Sequence, residues 1–220
     1  MTTTTPNLMP RCYIRDLGFM DYLMAWKEQE NCVRAVFTGE AHQLLICEHP
    51  VVLTLGRMAR KDSICLPHEE IRHLGIPIIS VDRGGDVTLH SPGQLVVYPI
   101  FNLHQLGPDL KRMIFNLEQL TIDLLKDFDI LANRILGRTG VWVGKEKIAS
   151  IGIGVKKWIT YHGLSINVNT DLSLYHLIKP CGMDVPMTSM HHILKKFIDQ
   201  SMVKERIIHH TLSVFGLSAL

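Results

Sequence analysis

Four short apolar runs, separated by proline and glycine, set the limits on this fold. "QLLICEH" (43–49), "VVLTLG" (51–56), "IPIISV" (76–81) and "QLVVYPIF" (94–101) have strand length and are rich in β-branched residues. Pro50 breaks the first pair and Gly56 ends the second run, which is the punctuation of a sheet. Each run falls well short of the roughly 20 apolar residues that a membrane-crossing helix needs. No membrane association is expected.

Helical periodicity appears elsewhere. "DLKRMIFNLEQLTIDLLKDF" (109–128) places Leu110, Met113, Leu117, Leu120 and Leu124 at spacings of three and four, an apolar stripe for one side of a helix. "DYLMAWKEQENCVRAV" (21–36) reads as a first amphipathic helix, and residues 202–215 as a closing one. "GVWV" (140–143) and "KIASIGIGV" (147–155) flank a charged turn as a hairpin, and "HGLSINVN" (162–169) follows as another strand. The expected class is α+β, a mixed sheet with packed helices. With 220 residues, the chain suits one domain over 11–220 after a threonine-rich tail over 1–10.

A formal net charge of +2 is too mild for a dedicated nucleic-acid binder, so no nucleic acid is expected as a partner. The five cysteines are irregularly spaced without a CxxC pair, which indicates a reducing compartment. The first fifteen residues hold two arginines and no acid but lack an amphipathic run, so the cytoplasm is expected, with the mitochondrial matrix as the alternative. The adjacent histidine pairs 191–192 and 209–210 diverge from one another, so no metal site is expected.

Two features could carry chemistry. Cys181, in "IKPCGM", lies between a proline that fixes φ and a glycine that admits close approach; Cys12, Cys32, Cys47 and Cys65 read as small hydrophobes. A nucleophilic thiol needs a nearby cation, because its ordinary pKa leaves little thiolate at neutral pH. Lys147, His90 and His162 are the candidates, although spacing alone favours reading Lys147 as a solvated turn lysine. The second feature is "RGGDVTLHSPGQ" (83–94), a glycine-containing connection between strands. It could be a plain hairpin link or a cradle in which Gly84 and Gly85 bring backbone N–H groups to a ligand while Arg83 and His90 add donors. It is not a phosphate-binding P-loop, since no GxxxxGK[ST] is present.

The blocks "EHPVVLTLGR", "RGGDVTLHSPGQLVVYP", "GVWV" with "KIASIGIGV", "HGLSINVN" and "PCGM" occur in the order found in the lipoyl(octanoyl) transferases, and the chain resembles that family over nearly its whole length. The resemblance implies a fold like the catalytic domain of biotin and lipoate protein ligases. It implies transfer of an octanoyl group from octanoyl-acyl carrier protein to a lysine of a lipoyl domain, without a cofactor. The acceptors would be lipoyl domains of 2-oxoacid dehydrogenase complexes and the glycine cleavage H protein, and a monomer is expected. By resemblance, Cys181 is the acyl-thioester nucleophile and Lys147 lowers its pKa and relays protons. The substrate would meet Arg83, Gly84, Gly85, Asp86, Val87, Thr88, Leu89 and His90, then Ser150, Ile151 and Gly152, then Gly163, Leu164 and Ser165. Ser91 stands where the family usually has glycine and Ser165 where it commonly has alanine, both relevant to chain-length preference. Arg57, Arg60, Lys61 and Arg83 are the expected contact surface for an acidic carrier. Two other readings share parts of this pattern: an ATP-dependent lipoate or biotin ligase, and a non-catalytic binder of acyl carrier protein.

Overall fold

The computed structural model describes residues 9–180 and 185–220. Its larger sheet has eight strands in the order β11-β1-β2-β6-β10-β9-β8-β7. These are β1 (Arg11–Phe19), β2 (His42–Glu48), β6 (Gln94–Ile100), β7 (Asn133–Ile135), β8 (Arg138–Val143), β9 (Glu146–Lys156), β10 (Ile159–Asn167) and β11 (Ser218–Ala219). A second sheet, β4-β3-β5, comprises β3 (Val52–Leu55), β4 (Ile78–Ser80) and β5 (Val87–His90). The β1–β2 and β3–β4 pairs are parallel and the β2–β6–β10–β9–β8 run is antiparallel, so the sheet is mixed as expected.

Helices cover both faces of the large sheet. On one face α4 (Leu110–Lys126) and α6 (Gln200–Phe215) pack on Leu44, Ile46, Leu95, Val97, Leu164 and Ile166. On the other, α1 (Tyr22–Phe37) packs on Leu45, Cys47, Val96, Tyr98 and Ile100. The alternation 44/46 against 45/47 is the two-residue period of a strand. Because both faces are covered, β2 and β6 read in sequence as unbroken apolar runs. Aspartates cap the three long helices: Asp21 accepts from the N–H groups of Leu23 and Met24, Asp109 from those of Lys111 and Arg112, and Asp199 from that of Ser201. Gly216, left-handed at φ 62°, ends α6.

Four strands lay hidden in the sequence: β1, β5 and the short β7 and β11. β1 carries Arg15 and Asp16, whose charges meet Glu28 on α1 at 2.8 Å and Lys204 on α6 at 2.8 Å. Those partners lie far along the chain, which is why a strand with internal charges escaped its periodicity. The second is β5, inside the glycine-containing connection, which pairs antiparallel with β3 from Val87↔Leu55 to His90↔Val52. The turn that remains is short and centres on Gly93. No helix among the described residues is long and apolar enough to cross a membrane.

Gly93 has φ 82°, and a Cβ there would lie 2.6 Å from the Asn169 carbonyl oxygen. Gly93→Ala is therefore expected to destabilise the fold by roughly 1–3 kcal/mol from backbone strain, with the close contact adding to it. A lowered urea midpoint at unchanged slope is the expected result, and an unchanged midpoint would contradict this account.

Candidate active site

The site begins where β8 stops. β8 pairs with β9 only from Val141↔Ala149 to Val143↔Glu146, so the outer edge of β9 lies open beyond Ala149. The turn of residues 83–86 covers that edge: the Gly84 N–H donates to the Ile153 carbonyl at 2.9 Å. Close approach requires glycine on both sides, since a Cβ on Gly152 would lie 2.8 Å from the Gly84 oxygen and one on Gly56 2.4 Å from the Gly85 oxygen. From behind, the Arg57 and Met58 N–H groups donate to the carbonyls of Arg83 and Gly85. Asp86 accepts from the Ser63 hydroxyl at 2.7 Å, from its neighbour's N–H at Val87, and from the Arg60 N–H. Arg83 donates to the carbonyl and hydroxyl oxygens of Thr54 and to the Gly84 carbonyl.

Beneath this turn lies a cleft with about 540 Å³ of empty space, mouth included. Its lining gathers three separate sequence blocks: Arg83 and Gly85 to Thr88 with His90; Lys147 and Ser150 to Gly152; and His162 to Ser165. Tyr22, Val96, Tyr98 and Pro180 complete it. Lys147 is only 1 % exposed, at a bulge in the β8–β9 pairing, with its ammonium 5.5 Å from the Trp142 ring centroid. It is therefore not a solvated turn residue; its stem runs past Gly140, where a Cβ would lie 2.6 Å from the lysine Cε. Residues downstream of the described gap hold its backbone, since the Lys147 N–H donates to the Pro186 carbonyl and its own carbonyl accepts from Thr188. An ammonium this deeply buried is a mark of function more often than of stability.

The cleft's two histidines are neutral. Burial pushes His90 down to about 3, and a hydrogen bond from Nδ1 to the Gln94 side-chain oxygen fixes its proton there. Burial likewise takes His162 down to about 4, against the upward pull of Asp82, whose carboxylate accepts from Nε2 at 3.0 Å. Of the three candidates weighed for the thiol, the two histidines are thus set aside, which leaves Lys147. His90 stacks on Tyr22 with ring planes 17° apart, and Tyr22 in turn meets His49, which bonds the Tyr98 hydroxyl at 2.8 Å. No sequence signal singles out Tyr22 or Tyr98 for the cleft; only the pairing of β6 with β10 and the docking of α1 bring them here.

Cys181 lies outside the described residues. Among the expected contacts, Leu89 turns away from the cleft into the core beside Leu53 and Leu177. Gly84 spends its N–H on Ile153 instead of offering it to a ligand. Arg83 faces the cleft but is buried, with its donors committed to Thr54 and Gly84, so it does not belong to an exposed carrier-contact surface; Arg57, Arg60 and Lys61 are exposed. Ser91 does not have positive φ, so the glycine usual there is not needed for a left-handed backbone in this chain. Its hydroxyl is buried without a partner, whereas Ser165 faces the cleft. Cys12, Cys32 and Cys47 are buried as expected, but Cys65 is exposed. No group of three or more histidine, cysteine or acidic residues that could hold a metal ion occurs among the described residues.

The buried histidines predict a pH dependence. Burial holds His42 and His162 near 4 and His90 near 3 in the folded state, while the unfolded residues take up a proton near 6.5. Below that value the unfolded state binds more protons, so stability falls with pH from about 6.5 to 4, by on the order of 1 kcal/mol per histidine per pH unit. Urea midpoints measured between pH 7 and pH 5 should drop steadily; a flat profile would show that these rings are not buried and neutral.

The model for the "Lipoyl protein ligase A/B catalytic domain" matches residues 21–212. An octanoyltransferase of Solibacter usitatus is 41 % identical over 214 residues, covering 96 % of both chains. One from Roseiflexus sp. is 42 % identical over 209 residues, covering 93 % of this chain and 87 % of its own. Among solved structures, a lipoate-protein ligase A bound with ATP superposes with a TM-score of 0.79 at 14 % identity, covering 97 % of this chain and 90 % of the other. Biotin protein ligase from Aquifex aeolicus gives 0.55 at 13 % identity, covering 94 % and 70 %; these two show the shared fold. The chain belongs to the lipoyl protein ligase A/B catalytic-domain family.

Proposed function

We propose that this protein is an octanoyltransferase that moves an octanoyl group from octanoyl-acyl carrier protein to a lysine of a lipoyl domain, through a thioester on Cys181. The observation that carries the reading is the fully buried Lys147 sharing a cleft with Pro180, the immediate neighbour of Cys181. The Pro186 carbonyl bound to the Lys147 backbone tethers the same segment from its other side. Relatives that match along nearly the whole chain carry the name octanoyltransferase. One core runs from Cys12 to Leu217, which supports residues 11–220 as a single catalytic unit.

The chemistry follows from the residues. Lys147 stabilises the Cys181 thiolate by its charge. The thiolate attacks the donor's thioester carbonyl; the C–S bond to the carrier breaks, the carrier thiol leaves with a proton given up by Lys147, and the octanoyl group remains on Cys181. The acceptor amine then attacks this second thioester, an amide forms, the cysteine sulfur leaves, and the amine's surplus proton returns through Lys147. One thioester is exchanged for another before the amide forms, so no ATP is required. The walls suit the acyl chain: the strands line the cleft at Gly152 and Gly163 without a side chain, and no charged histidine intrudes.

The test is intact mass after incubation with octanoyl-acyl carrier protein and no ATP. A single hydroxylamine-labile adduct is expected, absent in Cys181→Ala and formed about 10²–10⁴-fold more slowly in Lys147→Met. No adduct on folded protein, followed by acyl transfer once ATP and free octanoate are added, would replace this reading with the ATP-dependent ligase.

The donor's acidic carrier would approach across the exposed Arg57 and Arg60, which with Arg138 line a wide groove continuous with the cleft at Gly85, Asp86, Ile151 and Gly152. Added salt is therefore expected to raise the apparent KM for the carrier while leaving kcat nearly unchanged. A salt-independent KM would remove these arginines from the docking surface.

A further inference from the structure

The acyl cleft has a near end and a far end. Ser150 and Ser165 pair across β9 and β10 on the side toward Lys147, then Gly152 with Gly163, then Ile153 with His162. Three residue rises from Ser165 to His162 span roughly 10 Å, close to the reach of an extended eight-carbon acyl chain. His162 has φ 54°, an uncommon left-handed backbone for a residue with a side chain. Its ring packs toward α1, 5.8 Å from the Trp26 ring. Four partners hold it: its N–H donates to Gln29, Nε2–H to Asp82, Nδ1 faces the Tyr22 hydroxyl at 3.5 Å, and the Tyr161 ring packs alongside. Tyr161 itself donates to the other oxygen of Asp82.

Behind that ring lies a second pocket of about 680 Å³ of empty space, mouth included, with an apolar wall of Trp26, Val33, Phe37 and Tyr161. The two cavities have no lining residue in common among those described, yet their walls touch: His162 and Tyr22 line one, and Asp82, Tyr161 and Trp26 line the other. We propose that His162, held by Asp82, is the partition between them and the residue that sets acyl-chain length, the second pocket being a closed-off extension of the acyl cleft. A longer chain meets a fixed, hydrogen-bonded imidazole at the depth of the eighth carbon. Without that ring it would run on between Trp26 and Tyr161, where each further buried methylene is worth about fourfold in affinity. This inference rests on the octanoyl-transfer reading and adds the determinant of its chain length.

The experiment compares rates of acyl-adduct formation with octanoyl-, dodecanoyl- and tetradecanoyl-acyl carrier protein. The wild type should favour octanoyl over tetradecanoyl at least tenfold. His162→Ala should shrink that ratio at least tenfold, and adding Val33→Phe, which fills the second pocket, should restore it. Asp82→Ala, at a half-exposed carboxylate, loosens the ring without touching the core and should shift the ratio the same way to a smaller degree; it decides the matter if His162→Ala does not fold. An unchanged ratio in folded variants overturns the partition while leaving octanoyl transfer intact. If the wild type forms no adduct with any donor, calorimetric binding of octanoic against tetradecanoic acid to the same variants tests the partition separately. An unchanged affinity ratio there overturns it as well.

Discussion

One hydrogen bond, from the Gly84 N–H to the Ile153 carbonyl, joins the two sheets where the larger one runs out of partners. An unpaired strand edge ordinarily invites pairing with another chain. Here the open edge of β9 is closed by a tight turn of the same chain, and the enclosed space becomes the cleft. The approach works because backbone meets backbone at Gly56, Gly84 and Gly152 with no side chain between them. Arg83 and Asp86 then lock the turn from behind, each spending its polar atoms on neighbouring main chain and hydroxyls. The most conspicuous stretch of the sequence thus serves first as architecture and only through that as a wall for a ligand.

Charge in the cleft is distributed by burial. Two imidazoles that could have served as cations are made neutral by desolvation. Arg83, which keeps its charge, is engaged by Thr54 and Gly84. Lys147 shares the cleft with Pro180, with Gly140 providing room for its stem. A cleft that sets neutral imidazoles along its wall and a buried lysine beside Pro180 suits the activation of a thiol beside an acyl chain.

Legibility varied with the range of the interactions involved. The large helices could be read from their apolar spacing, because that signal is local. β2 and β6 could be read as well, since burial on both faces leaves an apolar run. β1 could not, because the partners of Arg15 and Asp16 sit on α1 and α6. Lys147 looked like an ordinary turn lysine, because nothing near it in sequence reveals that Trp142, Gly140 and the segment at Pro186 enclose it. Tyr22 and Tyr98 carried no signal either, because their place in the cleft depends on strand pairing and on the docking of α1.

The sequence by itself determined the α+β class and most of the elements, since local periodicity and glycine or proline punctuation are written residue by residue, and its resemblance to a family pointed to the three blocks whose residues line the cleft. Tertiary structure alone decided that Arg83 and Gly84 are spent on the fold and that Leu89 turns into the core. It also decided that His90 and His162 are neutral and that His162 stands between two cavities. The physical reason is that desolvation, and the direction in which a donor or side chain points, depend on neighbours dozens of residues away, which the pairing of strands brings together.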